Sequence, residues 1–218
     1  MAVVQNTLIG SSRGKVGGTV FTKQFGKNVL KSKPLSVANP NTPKQQDQRA
    51  SLTKTVALYR SISAVINQTF KSQAVGMSAF NAFTSKAKLN AFTYSGDGNP
   101  VFVPGSLLIS KGTISPVAAT GKEITIPAKS VSVNFPSTLS DASQASTDKV
   151  VIGLYNATKG TIRASVTNAM RSAGTATATF DNVDLSTDAY HVYLAFLASD
   201  GSKASDSVAY ADATIETE

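Results

Sequence analysis

The chain has no cysteine, no tryptophan and a single histidine among its 218 residues. Without thiols there is no disulfide scaffold, no thiolate nucleophile and no thiolate-bound zinc. With His191 as the only imidazole, a multi-histidine metal site or a Cys–His pair cannot be assembled within one chain. Alternation in Tyr190–Phe196 puts Val192, Leu194 and Phe196 on the face opposite His191, so a partly exposed strand position accounts for it. No apolar run approaches the roughly 18 residues that would cross a bilayer, so no membrane partner is expected. The N-terminus MAVVQNTLIGSSRGK lacks a basic segment followed by a long apolar one, so no Sec signal is expected.

Charge is also sparse, at 16% Asp, Glu, Lys and Arg, and it is uneven. Residues 1–95 hold thirteen Lys and Arg but one acid, Asp47; residues 96–218 hold eight and twelve. Such asymmetry predicts two modules with different neighbours, the basic one drawn to an anionic surface.

Three motifs that would carry chemistry fall short. Gly10–Val16 has three residues where a phosphate-binding loop needs four, and Val16 stands where the magnesium-binding hydroxyl belongs. Asp181, Asp184 and Asp188 lack the spacing and terminal Glu of a calcium loop, which leaves a solvated loop. Asn67-Gln68-Thr69 and Asn156-Ala157-Thr158 match glycosylation sequons, but no secretion signal accompanies them. No catalytic residue, cofactor or metal ligand is assigned, and the chain reads as a non-enzyme.

What is present begins with RGKVGGTVFTKQFGKNVLKSKP, Arg13–Pro34, with six cations and no carboxylate. Thr19–Phe25 alternates, Gly26-Lys27 offers a turn, and Asn28–Lys33 returns, which predicts a β-hairpin with Phe21, Phe25 and Leu30 packed at home. Thr42 and Pro43 open a long helix whose stripe is Leu52, Val56, Tyr59, Ile62, Ile66 and Phe70. Ser78 begins a second, running to about Phe92, with Ala79, Phe83 and Ala87 on one face. The turn-rich Ser95–Gly105 follows. Beyond it lie short alternating runs at Leu107–Ser110, Ile124–Pro127, Val131–Phe135, Val150–Tyr155, Thr161–Val166, Thr175–Phe180, Tyr190–Leu197 and Ser207–Thr214. The expected fold is an α+β N-terminal domain (hairpin plus two antiparallel helices), then an all-β immunoglobulin-like or fibronectin-type sandwich. The expected domains are 1–95, a linker at 96–105, and 106–218.

The candidate partner-binding set is Arg13, Lys15, Lys23, Lys27, Lys31 and Lys33 on or beside the hairpin, with Lys44 and Arg49 on the first helix. Edge-blocking lysines explain a few of these cations but not the near absence of acids. Phe21 and Phe25 could stack on bases, yet are equally needed as core.

Several segments resemble a domain-of-unknown-function family of Bacteroidota and their phages, including crAss-like phages of the gut. They are GKVGGTVFTKQFGKNVLKSKP, NPNTPKQQDQRASL, MSAFNAF, LLISKGTI, VIGLYNATKGTI, RSAGTATATF and HVYLAFLASDGSKASDS. The resemblance runs in order over nearly the whole chain, and the family has no assigned activity to transfer. It implies a virion setting: an auxiliary capsid, decoration or head–tail protein, multicopy, assembled in a bacterial cytoplasm. Its basic domain would dock on major capsid or other acidic virion protein, with weak nucleic-acid contact possible and the sandwich exposed. Two other readings stay open: a nucleic-acid-binding protein using the same basic face, and a surface adhesion module.

Overall fold

The computed structural model describes residues 2–3, 13–125, 129–180, 189–211 and 213–216. It divides into two compact units, 1–41 and 42–218.

Unit one is a small antiparallel sheet. Its strands are β1 (Ala2–Val3), β2 (Gly14–Val16), β3 (Thr19–Gln24) and β4 (Lys27–Ser32), in the order β1-β4-β3-β2. The expected hairpin is β3–β4, but its turn sits one residue earlier than Gly26-Lys27. Gln24 pairs with Lys27, and the loop is Phe25-Gly26, with φ of 48° and 80°. Positive φ at both central residues is the mirror-image turn that matches strand twist. Gly26 adopts it freely, whereas a bulky residue at Phe25 does so at a cost. Phe25 is therefore not packed with Phe21 and Leu30: it stands at the tip, 54% exposed. Phe21 and Leu30 are direct cross-strand partners and half-buried. Among the described residues of the unit Val29 is the best buried, on the opposite face.

Unit two begins with α1 (Pro43–Thr69) and α2 (Ala79–Asn90). Thr42 precedes Pro43 as expected, and Ser78 caps α2, its Oγ accepting from the Asn81 N–H at 3.2 Å. The buried stripe of α1 differs from the expected one in its first half. Leu52 is exposed, and Ser51 and Thr55 face inward instead. Their hydroxyls donate to the helix's own carbonyls, Ser51 to Gln48 at 3.1 Å and Thr55 to Ser51 at 2.8 Å, so burial leaves neither unsatisfied. Farther along, Ile62, Ile66 and Phe70 are buried as expected, but Val56 and Tyr59 of the expected stripe are half-buried, and Leu58, outside it, is buried instead. Phe70 meets Phe83 of α2 edge-to-face, ring centroids 5.7 Å apart.

A two-stranded ribbon follows, β5 (Phe92–Thr93) with β6 (Val101–Phe102). The remaining strands are β7 (Gly121–Thr125), β8 (Ser130–Asn134), β9 (Lys149–Asn156), β10 (Thr161–Met170), β11 (Thr175–Thr179), β12 (Tyr190–Leu197), β13 (Val208–Tyr210) and β14 (Thr214–Glu216). They form two sheets, β10-β9-β12-β13 and β11-β8-β7-β14, antiparallel except that β14 runs parallel to β7. Ile124, Val131, Val133 and Ala178 of one sheet meet Ile152, Leu154, Val192, Leu194 and Phe196 of the other in one core. Two expected strands differ. Ser207–Thr214 divides between the sheets as β13 and β14. Leu107–Ser110 is not a strand but a buried stitch, Ile109 N–H donating to Ser207 Oγ at 2.9 Å and Ser110 Oγ to the Ser205 carbonyl at 2.6 Å.

The helices and the sheets share a second core. Leu58, Ile62, Phe70 and Phe83 pack with Leu107, Ile109, Tyr155, Ile162 and Tyr193, and α1 lies on β10. The expected break at 96–105 therefore does not separate two cores. That segment is built in: Tyr193 Oη donates to the Pro104 carbonyl at 2.8 Å. Just beyond it, Gly112 lies so close to Ala204 that an added Cβ would overlap the Ala204 carbonyl. The contacts divide instead after Asn41.

Candidate interaction surface

The unit boundary sharpens the charge asymmetry. Residues 1–41 carry six cations and no acid, whereas 42–218 carry fifteen and thirteen. The eight candidate residues split accordingly. Arg13, Lys15, Lys23, Lys27, Lys31 and Lys33 belong to unit one, and all six are exposed. Lys44 and Arg49 belong to unit two, in the first turns of α1.

Register places the sheet lysines. Lys15 pairs with Val20 and Val20 with Lys31, so the two lysines flank Val20 in one row across β2, β3 and β4. Lys27 lies on that same face, and Lys23 lies on the face of Phe21 and Leu30. Both faces thus carry cation beside apolar side chain, unlike the expected segregation of lysines from core. The arrangement presents positive charge around a projecting aromatic ring.

The other residues weighed from sequence fall as follows. Gly14–Val16 of the rejected phosphate loop are strand β2, and Gly10–Ser12 lie outside the described residues. Asp181, Asp184 and Asp188 also lie outside them. Among the described residues no group of three metal-capable side chains occurs, and no helix is long and apolar enough to cross a membrane. His191 is half-buried on β12 opposite Tyr155, its ring 6.3 Å away. Burial lowers the imidazole pKa from its ordinary value. Among the described residues Nδ1 has no hydrogen-bond partner.

Sequence reasoning passed over Asp47. It is 2% exposed, and it lines a hollow of about 370 Å³ with Lys44, Gln48, Tyr94, Ser95 and Gly96. The available signal was its isolation as the sole acid of 95 residues, beside Gln45, Gln46 and Gln48 in a helix-opening motif. A charge count does not report burial.

The model of a family of unknown function, DUF6266, matches residues 11–211. It spans both units and all eight candidate residues. No curated protein and no solved structure gives a significant match.

Proposed function

We propose that this chain, which belongs to the DUF6266 family, is a non-enzymatic structural protein of a phage particle. Its basic unit docks on an acidic virion protein, and its sheets form the exposed module. The observation that carries this reading is the acid-free unit one, with six exposed cations on 41 residues. In a shell, one modest charge contact repeats on many copies, and the contacts add through multivalency. The resemblance to proteins of Bacteroidota and their phages supplies the setting. We read the two larger sheets as immunoglobulin-like, of fibronectin type. The orders β11-β8-β7 and β10-β9-β12-β13 support that reading, because seven-stranded sandwiches of this class divide consecutive strands between two sheets in a comparable way. Such modules serve as spacers and binders, and fold alone does not choose between the roles.

The test reverses Arg13, Lys15, Lys27 and Lys31 to Glu and asks whether the protein still enters particles, by quantitative mass spectrometry of purified virions. Exposed cations contribute little to stability, so folding should persist. Incorporation should be lost, since like-charge juxtaposition costs on the order of several kcal/mol. Wild-type occupancy by the reversed protein would reduce the charge to a solubility device and defeat the proposal.

One observation favours a second reading, nucleic-acid binding: Phe25 is 54% exposed among lysines, and an exposed ring beside cations suits stacking on a base. Affinity for single- and double-stranded DNA, measured against salt, separates the two. Phosphate contact gives a log–log slope of about −0.9 per neutralised phosphate on duplex. Tight, sequence-selective binding at physiological salt would promote this reading over the first.

A further inference from the structure

Asp47, a residue of unit two, is almost wholly buried, yet among the described residues its side chain has no protein partner. Its Oδ1 is inaccessible and accepts no hydrogen bond there, and the side chain makes no ion pair. Burying a carboxylate without donors is costly, so such a group needs an external partner or a reason to be tolerated. The hollow it lines, about 370 Å³, has room for one side chain. Each wall offers something specific. The Tyr94 hydroxyl is already engaged, donating to the Lys88 carbonyl at 3.0 Å, so Tyr94 presents its ring. The Ser95 hydroxyl is held by the Asp97 carboxylate and keeps lone pairs to accept. Gln48 offers an amide oxygen. A second hollow, about 430 Å³, shares Gln48 and Tyr94 with the first and continues past Lys88 and the exposed Leu89.

We propose that this groove receives an arginine side chain carried on an acidic segment of a partner protein. A guanidinium can donate one N–H to the carboxylate oxygen other than the inaccessible Oδ1, leaves other N–H groups for acceptors such as Gln48 and Ser95, and lies flat on an aromatic ring. One carboxylate does not make a site for a metal ion, which needs several oxygen ligands. Lys44 and Lys88 stand at the rim of the two hollows, where they repel a bare cation and attract carboxylates flanking the arginine. The second hollow, with Leu89, takes the residue next in the partner chain. This surface is distinct from the basic sheet of unit one, and the inference does not depend on the virion reading.

The test is isothermal titration of the full chain with an acetylated, amidated five-residue peptide, a central arginine flanked by glutamates. Matching peptides carry lysine or citrulline at the centre, and N-acetyl-arginine amide is the small-molecule control. Saturable binding of the arginine peptide is expected, at least tenfold weaker for lysine or citrulline and for Asp47→Asn. Thermal melting of unliganded Asp47→Asn should be unchanged or raised, since a tolerated buried charge is removed; a purely structural carboxylate would give a fall. Tyr94→Leu, which leaves Asp47 in place, should also weaken binding severalfold and keeps the test valid if Asp47→Asn misfolds. The proposal is overturned by no saturable binding at millimolar peptide, by equal binding of lysine and arginine peptides, or by an Asp47→Asn protein of unchanged affinity. Equal affinity for N-acetyl-arginine amide and the peptide would overturn the acidic-segment part and assign a small guanidinium compound instead.

Discussion

The Arg171 guanidinium lies 3.8 Å over the ring centroid of Phe196, and both residues are wholly buried between the sheets of unit two. Arg171 follows β10 and Phe196 is on β12, so the contact links the strands that flank β9 on either side. Asp148, at the start of β9, supplies the counter-charge: its Oδ2 accepts from Arg171 Nε at 3.3 Å and from the Ala145 N–H at 2.9 Å. Burial lowers the Arg171 pKa from its ordinary value, and the Asp148 charge opposes that shift. Arg171→Met should cost about 3–5 kcal/mol in urea unfolding, because it strands the Asp148 carboxylate. The double variant Arg171→Met with Asp148→Asn should recover a large part of that loss, since the substituted amide oxygen can still accept from the Ala145 N–H. A double variant no more stable than the single one would show that the packing of Arg171, rather than charge pairing, sets the cost.

His191 should make the fold sensitive to mild acid. Its pKa is lowered by burial, so the unfolded chain takes up a proton first, near pH 6.5, and the folded chain only at lower pH. Stability from this group is therefore complete above about pH 6.5 and is lost as pH falls toward the folded value. Melting temperature should decline below that pH in the wild type, and His191→Gln should flatten the decline there. The lowered pKa values of Asp97, Asp141 and Asp200 act in a more acidic range, below the ordinary carboxylate value, so the two effects separate in a pH series.

Limited proteolysis should cut between Pro34 and Asn41, not between Ser95 and Gly105. Every residue of 34–41 is exposed, Leu35 and Val37 among them, and none is in a helix or strand. Ser95–Gly105 is crossed by the β5–β6 pairing and anchored by Tyr193. A low-specificity protease should leave one large protected fragment beginning near Thr42. Early cleavage at 95–105 into two protected halves would restore the boundary read from composition.

Much of the local structure was legible because it follows from short-range rules. The hairpin shows in the alternation from Thr19, the second helix in the Ser78 cap, and most of the long strands in runs of β-branched residues. What covers each face was not legible. An apolar stripe such as Leu58, Ile62 and Ile66 demands a partner without naming one, and here the partner is the sheet carrying Tyr155 and Ile162 rather than a separate small core. Ser51 and Thr55 lay outside the expected stripe because hydropathy cannot see hydroxyls satisfied by their own helix. Asp47 counted only as the lone acid of the basic half, since composition carries no information about burial. The candidate cations were legible as a set, but their faces depend on the β2–β3–β4 register, which alternation leaves open across Gly17 and Gly18.

Phe25 is the position where stability and function should trade against each other. Its φ of 48° lies in the left-handed region, where a bulky side chain costs about 1–2 kcal/mol. Burial does little to offset that, since the ring is 54% exposed at the hairpin tip. Asn and Gly accept this backbone readily. Phe25→Asn or Phe25→Gly should therefore stabilise the hairpin by about 0.5–1 kcal/mol, seen as slower amide exchange along β3 and β4. If the ring serves a partner, the same substitution should weaken incorporation into particles or binding to nucleic acid while the lysines remain. A protein that gains stability and loses no interaction would leave the aromatic tip without a role, and the contact would then rest on the cations alone.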